Sequence, residues 1–212
     1  MIRPIAWPST RTLAIAVVAL VVVLLVGFGG WLWYDAQQRR VQAAYADVMA
    51  RAQPALAPDA PAESKVAAAR DLEQWLARYP SARPVPQAAY ELGNVRFALG
   101  LYAGARGAYE LALQRGASGT LRGLVRAALA RTWEAERDFG KAADAYGALV
   151  KDLDARSFLY EDALLDQARA LELAGRKADA VAAYQKLLKD VPTARRAEDV
   201  RIRLAALGTA SR

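Results

Sequence analysis

Between residues 13 and 34 the chain reads LAIAVVALVVVLLVGFGGWLWY, apolar on every side, whereas from Asp35 onward apolar residues return every three or four positions among charged ones. The first pattern predicts a helix in lipid, and the second predicts amphipathic helices that bury one stripe each. At a rise of about 1.5 Å per residue the uncharged run reaches across a hydrocarbon core of about 30 Å. It exceeds the apolar core of a signal peptide, and no small-x-small cleavage site follows it, so an uncleaved anchor is expected. Trp31, Trp33 and Tyr34 on one flank and Trp7 on the other stand where interfacial aromatics belong, and Arg39 and Arg40 stand within reach of lipid phosphates. Ser9 or Thr10 after Pro8 offers a cap for the helix start.

Beyond the anchor, Val41, Ala44, Tyr45, Val48, Met49 and Ala52 share one stripe of a helix expected to end before Pro54. The stretch 53–63, QPALAPDAPAE, is broken by Pro54, Pro58 and Pro61 and reads as a loop. Ser64 is the expected N-cap of a helix carrying Val66, Leu72, Trp75 and Leu76, which stops at Tyr79-Pro80.

Internal repetition follows. GLYAGARGAYELAL at 100–113 aligns with RDFGKAADAYGALV at 137–150 and GRKADAVAAYQKLL at 175–188. The alignment matches Ala105 with Ala142 and Ala180, Ala108 with Ala145 and Ala183, and Tyr109 with Tyr146 and Tyr184. A period in the thirties with two helical stretches per period is the mark of stacked helical hairpins, which cannot bury their apolar faces alone. Small residues let two antiparallel helices approach, and a ring four residues on is expected to wedge between successive hairpins.

These residues resemble the tetratricopeptide repeat family. Leu92, Gly93, Gly100, Tyr102, Ala105, Tyr109 and Ala112 carry the likeness in repeat one. In repeat two Leu129, Phe139, Ala142 and Tyr146 carry it, with Ala130 for the small Gly and Arg137 for the turn Gly. Repeat three keeps Ala168, Leu171, Gly175, Ala180, Tyr184 and Pro192, while Gln167 departs from the usual Leu. The expected fold class is all-α, a single N-terminal transmembrane helix followed by a helical-hairpin solenoid. Its parts are a head at 1–12, the anchor at 13–34, a degenerate leading helix pair at 35–86, three repeats at 87–192, and a capping helix and tail at 193–212, started by Thr193 and stopped at Gly208.

The family register implies a concave, partner-binding groove lined by Tyr90, Asn94, Phe97, Arg131, Glu134, Arg169 and Glu172, pointing away from their hairpin partners. Tyr90 and Phe97, as exposed aromatics, are its sharpest candidates. A carboxylate clamp is not expected, because Tyr90, Ala128, Asp162 and Asp166 stand where its Lys, Asn, Lys and Arg would be. An anchor with a short head joined to such a solenoid also resembles the YfgM-type ancillary subunits of the SecYEG translocon. That likeness implies a chaperone-like adaptor on the periplasmic side of the bacterial inner membrane, with the N-terminus cytoplasmic. The implied partners are the translocon, periplasmic chaperones or secreted clients, with membrane lipid held through the anchor. A structural scaffold for an envelope, division or respiratory-assembly complex is the alternative. Arg3 and Arg11 nearly balance Arg39 and Arg40, so the short head, more than the charge count, favours that orientation.

Composition narrows the chemistry. The 212 residues contain neither Cys nor His, which removes thiolate nucleophiles, imidazole bases and the commonest zinc ligands. The acidic pairs Glu161 with Asp162 and Glu134 with Glu136 have no nucleophile or phosphate loop to serve, so no enzyme activity, metal or cofactor is expected. The net charge of +7 is spread along the chain without a basic tract, and nucleic-acid binding is not expected.

Overall fold

The structure, a computed structural model, describes residues 10–57 and 59–209. Nine helices account for most of them: α1 (Thr10–Ala55), α2 (Ala62–Arg78), α3 (Val85–Ala98), α4 (Tyr102–Gln114), α5 (Gly119–Ala135), α6 (Phe139–Asp152), α7 (Tyr160–Leu173), α8 (Lys177–Asp190) and α9 (Ala197–Thr209). The chain divides into two compact units, one ending at Ala46 and the other beginning at Asp47.

The first unit is the helical stretch of α1 whose apolar side chains, from Val18 to Tyr34, are exposed. Among the described residues α1 is the one helix long and apolar enough to cross a membrane. The amphipathic stripe expected after it is real, since Val41, Val48 and Ala52 are buried and Ala44, Tyr45 and Met49 half-buried. The expected end before Pro54 is corrected: α1 runs through Pro54 to Ala55. A proline costs most inside a helix, where it removes one hydrogen bond and crowds the preceding turn. Here it falls in the last turn, and the chain closes with tighter bonds from the Leu56 amide to Gln53 and from the Ala57 amide to Pro54.

The second unit stacks its helices in chain order, each packing on the next from α2 to α9. Ser64 is not the cap of α2, which starts at Ala62 behind Pro61, a residue whose fixed φ of -56° suits a helix entry. The helix stops where Tyr79-Pro80 was expected to stop it, with the Tyr79 amide on the Trp75 carbonyl at 2.9 Å. α9 starts at Ala197, not at Thr193, which lies in a turn, and it continues through Gly208 to Thr209.

Three hairpins, α3–α4, α5–α6 and α7–α8, share one closing device. The amides of Leu101, Asp138 and Arg176 donate to the carbonyls of Arg96, Trp133 and Leu171, each at 2.9 Å, across a residue with positive φ. That residue is Gly100 (φ 75°), Arg137 (φ 63°) or Gly175 (φ 76°), so Arg137 adopts the left-handed conformation despite its side chain. Along the stack, one buried cluster joins Tyr109 to Ala89, Ala105, Val125 and Ala128, and a larger one carries Tyr146, Leu164, Tyr184, Leu187 and Val200.

Candidate functional site

The repeat tyrosines set the geometry of the groove. A Cβ built on Gly93 would lie 2.2 Å from Cε1 of Tyr109, so only a glycine lets this ring lie flat against α3. The wedge therefore packs inside its own hairpin as well as against the next one, which corrects the expectation of a ring between hairpins alone. Its hydroxyl then reaches the first helix. Tyr109 donates to Oδ1 of Asn94 at 2.9 Å, Tyr146 to Oε2 of Glu134 at 3.1 Å, and Tyr184 to Oε2 of Glu172 at 3.3 Å. Asn94, Glu134 and Glu172 thus turn toward their hairpin partners, contrary to the expectation that they point away. Burial is the main cause that pushes all three phenols above their ordinary pKa, with nearby charges adding to it.

Equivalent positions in the three repeats follow from the tyrosine spacing: Phe97 matches Glu134 and Glu172, and Asn94 matches Arg131 and Arg169. Each residue of the first set meets an arginine on the next first helix. Glu134 pairs with Arg169 at 2.7 Å, Glu172 pairs with Arg203, and the Phe97 ring receives the Arg131 guanidinium at 5.4 Å. These contacts form a ladder along α3, α5, α7 and α9, in which an aromatic ring replaces the glutamate on the first rung. Arg131 consequently has no carboxylate within 4.0 Å among the described residues.

Beside that rung lies a cavity of about 380 Å³. Tyr90, Asn94, Phe97, Tyr109, Arg131 and Asp166 line it together with Leu56, Leu124 and Leu159. Tyr90 and Phe97 are half-buried, not exposed, because Tyr90 packs on Tyr109 with centroids 5.9 Å apart and Phe97 on Tyr102 at 5.3 Å. The cavity brings together Tyr90, Asn94, Phe97 and Arg131. Glu134, Arg169 and Glu172 lie outside its lining, and a smaller cavity of about 200 Å³ involves Arg169 with Tyr184, Arg196 and Arg203. Burial raises the pKa of Asp166, an effect that Arg169 at 3.2 Å opposes.

Sequence reasoning missed Leu56, Leu124, Leu159 and Arg203. The period does not point to Arg203, which lies 34 residues after Arg169 whereas Arg169 lies 38 after Arg131, and Leu56 and Leu159 lie in connections that carry no period. Among the membrane-flank residues, Trp31, Trp33, Tyr34 and Arg40 are exposed, and Arg39 pairs with Asp35 at 2.8 Å. Trp7 and the proposed cap Ser9 lie outside the described residues.

Solved structures share this fold. A single-substitution variant of the nearly identical TPR-like repeats of a Podosopora anserina kinesin light chain candidate superposes with a TM-score of 0.60 at 18% identity, covering 82% of this chain and 87% of that one. A second crystal structure of those repeats gives 0.54 at 14% identity, covering 82% and 98%. A MamA double mutant, RS-1 ArsTM, gives 0.56 at 13% identity, covering 81% and 96%. No protein-family model and no curated protein matches the sequence. At these identities the likeness is one of fold, and the fold is a tetratricopeptide-like helical-hairpin solenoid preceded by a long apolar helix.

Proposed function

We propose that the chain is a membrane-anchored, non-catalytic protein-binding solenoid that grips another polypeptide in the cavity beside Phe97. The observation that carries this reading is the first rung of the ladder: an aromatic pair, Tyr90 and Phe97, next to an arginine with no carboxylate within 4.0 Å among the described residues, in a cavity of about 380 Å³ that Asp166 also lines. Half-buried aromatics beside an exposed arginine are the kind of side chains enriched at protein interfaces. Hairpin solenoids offer such surfaces to many kinds of partner, so the fold by itself names none.

The finer reading is an adaptor beside the SecYEG channel of the bacterial inner membrane, with the solenoid in the periplasm and secreted chains or periplasmic chaperones as partners. Its support is the apolar helix of α1, long enough to cross a membrane. A photoreactive residue at position 90 tests it. The adaptor reading expects adducts with many secretory chains in transit, whereas adducts with one or two folded proteins favour the scaffold. An alkaline phosphatase fused after Arg212 is expected to be active, and an inactive fusion rules the periplasmic reading out.

A further inference from the structure

The second hairpin departs from its neighbours at its base. By the tyrosine register, position 122 is equivalent to 85 and 160, and position 126 to 89 and 164. The neighbours fill these places with buried apolar or aromatic residues, Val85 and Tyr160 at one, Ala89 and Leu164 at the other. Hairpin two has Arg122 and Arg126 there. A cavity of about 330 Å³ opens beside them, lined also by Gly119, Gly123, Leu149, Leu153 and Asp152.

The charges in this cavity do not balance. In hairpin three the equivalent carboxylate, Asp190, accepts the Tyr160 hydroxyl at 2.6 Å. In hairpin two Asp152 faces two guanidinium groups at the same oxygen: Arg126 contacts Oδ2, and Nη2 of Arg122 stands 3.9 Å from it. Two arginines bring two charges and ten N–H donors to one carboxylate. Arg126 is half-buried, and burial, followed by the neighbouring Arg122, pulls its pKa below the ordinary arginine value. Leu149, which is buried, and Leu153 form an apolar wall on the α6 side, while the Arg122 and Asp152 side chains, 55% and 47% exposed, leave the cavity open to an entering anion.

We propose that this cavity is an oxyanion site, in which the guanidinium groups of Arg122 and Arg126 hold a phosphate or carboxylate group. Planar, forked donors match the oxygens of such groups in pairs. The cavity lies at the base of hairpin two, apart from the groove beside Phe97, and its occupancy does not depend on the function proposed above.

The test uses the full chain in maltoside detergent, with inorganic phosphate titrated against chloride at constant ionic strength. A saturable rise in melting temperature is expected, together with phosphate-dependent shifts of the Arg126 side-chain Nε–H resonance. Arg126→Leu gives hairpin two the residue that hairpin three carries at this place, so the fold is expected to persist. It should weaken apparent phosphate affinity roughly ten-fold or more, the scale of a lost charge-assisted bond. Arg122→Ala is expected to weaken it less. A second arm compares phosphatidylcholine nanodiscs with and without phosphatidylglycerol. Stabilisation by phosphatidylglycerol that Arg126→Leu removes assigns the site to a lipid headgroup, and stabilisation by inorganic phosphate alone assigns it to a soluble anion. The proposal is overturned if neither arm gives a saturable effect, if Arg126→Leu binds as tightly as the parent, or if the Arg126 resonance is blind to both anions.

Discussion

Arg137 holds a conformation that its counterparts Gly100 and Gly175 adopt freely. A left-handed residue with a side chain costs about 1–2 kcal/mol, part of which a glycine gives back through its freedom in the unfolded chain. Arg137→Gly is therefore expected to stabilise the protein by up to about 1 kcal/mol, read as a higher urea midpoint with an unchanged slope. The tyrosines make a second prediction at this scale. Tyr109, Tyr146, Tyr160 and Tyr184 all have phenols raised by burial in the folded state. Near pH 10, where an unfolded tyrosine loses its proton, the folded chain still keeps these protons. The unfolded state then binds fewer protons, so stability is fully present below about pH 10 and falls as pH rises above it. Urea melts between pH 8 and 11 should show this decline, and Tyr146→Phe should make it shallower.

Between helices, the ladder decides how neighbouring hairpins are tied. Glu134 accepts from Tyr146 within its hairpin and from Arg169 across to the next, so one carboxylate serves both contacts. The Arg169 side chain is 49% exposed and that of Glu134 22%, so solvent screens the pair. A double-mutant cycle of Glu134→Gln with Arg169→Met is expected to give a coupling of about 0.2–1 kcal/mol. A larger value would mean that the ladder holds the stack as firmly as the buried rings do. The sequence made the period, the helix pairs and the turn positions readable, because Ala105, Tyr109 and Gly100 are demanded locally at fixed offsets. Which acceptor each tyrosine finds was not readable. Asn94 serves the first repeat and Glu134 and Glu172 the others, and that choice depends on how the ring lies against Gly93, Ala130 or Ala168. The ends of α1, α2 and α9 were misplaced for a related reason: Pro54, Ser64 and Thr193 mark turns in isolation, but neighbouring backbone bonds set the actual boundaries.

At the level of the whole chain, the two units differ in what they bury. The apolar length of α1 from Val18 to Tyr34 is exposed and belongs to a helix long and apolar enough to cross a membrane, whereas the unit from Asp47 onward buries its own core. The full chain is expected to pellet with membranes and resist carbonate extraction. A fragment beginning at Asp47 is expected to stay in the supernatant and unfold cooperatively, with a helical circular dichroism spectrum. Failure of that fragment to fold would show that the upstream helix completes the core.

Phe97 occupies a place where both later repeats keep an anion, and its ring leaves the mouth beside it unlocked. Phe97→Glu should let Arg131 clasp a carboxylate as Arg169 and Arg203 do, with a gain of about 0.2–1 kcal/mol. The same change should lower the yield of adducts from position 90, leaving a sturdier molecule with a poorer grip. Tightness of architecture and readiness to receive a guest would then be opposite settings of a single side chain.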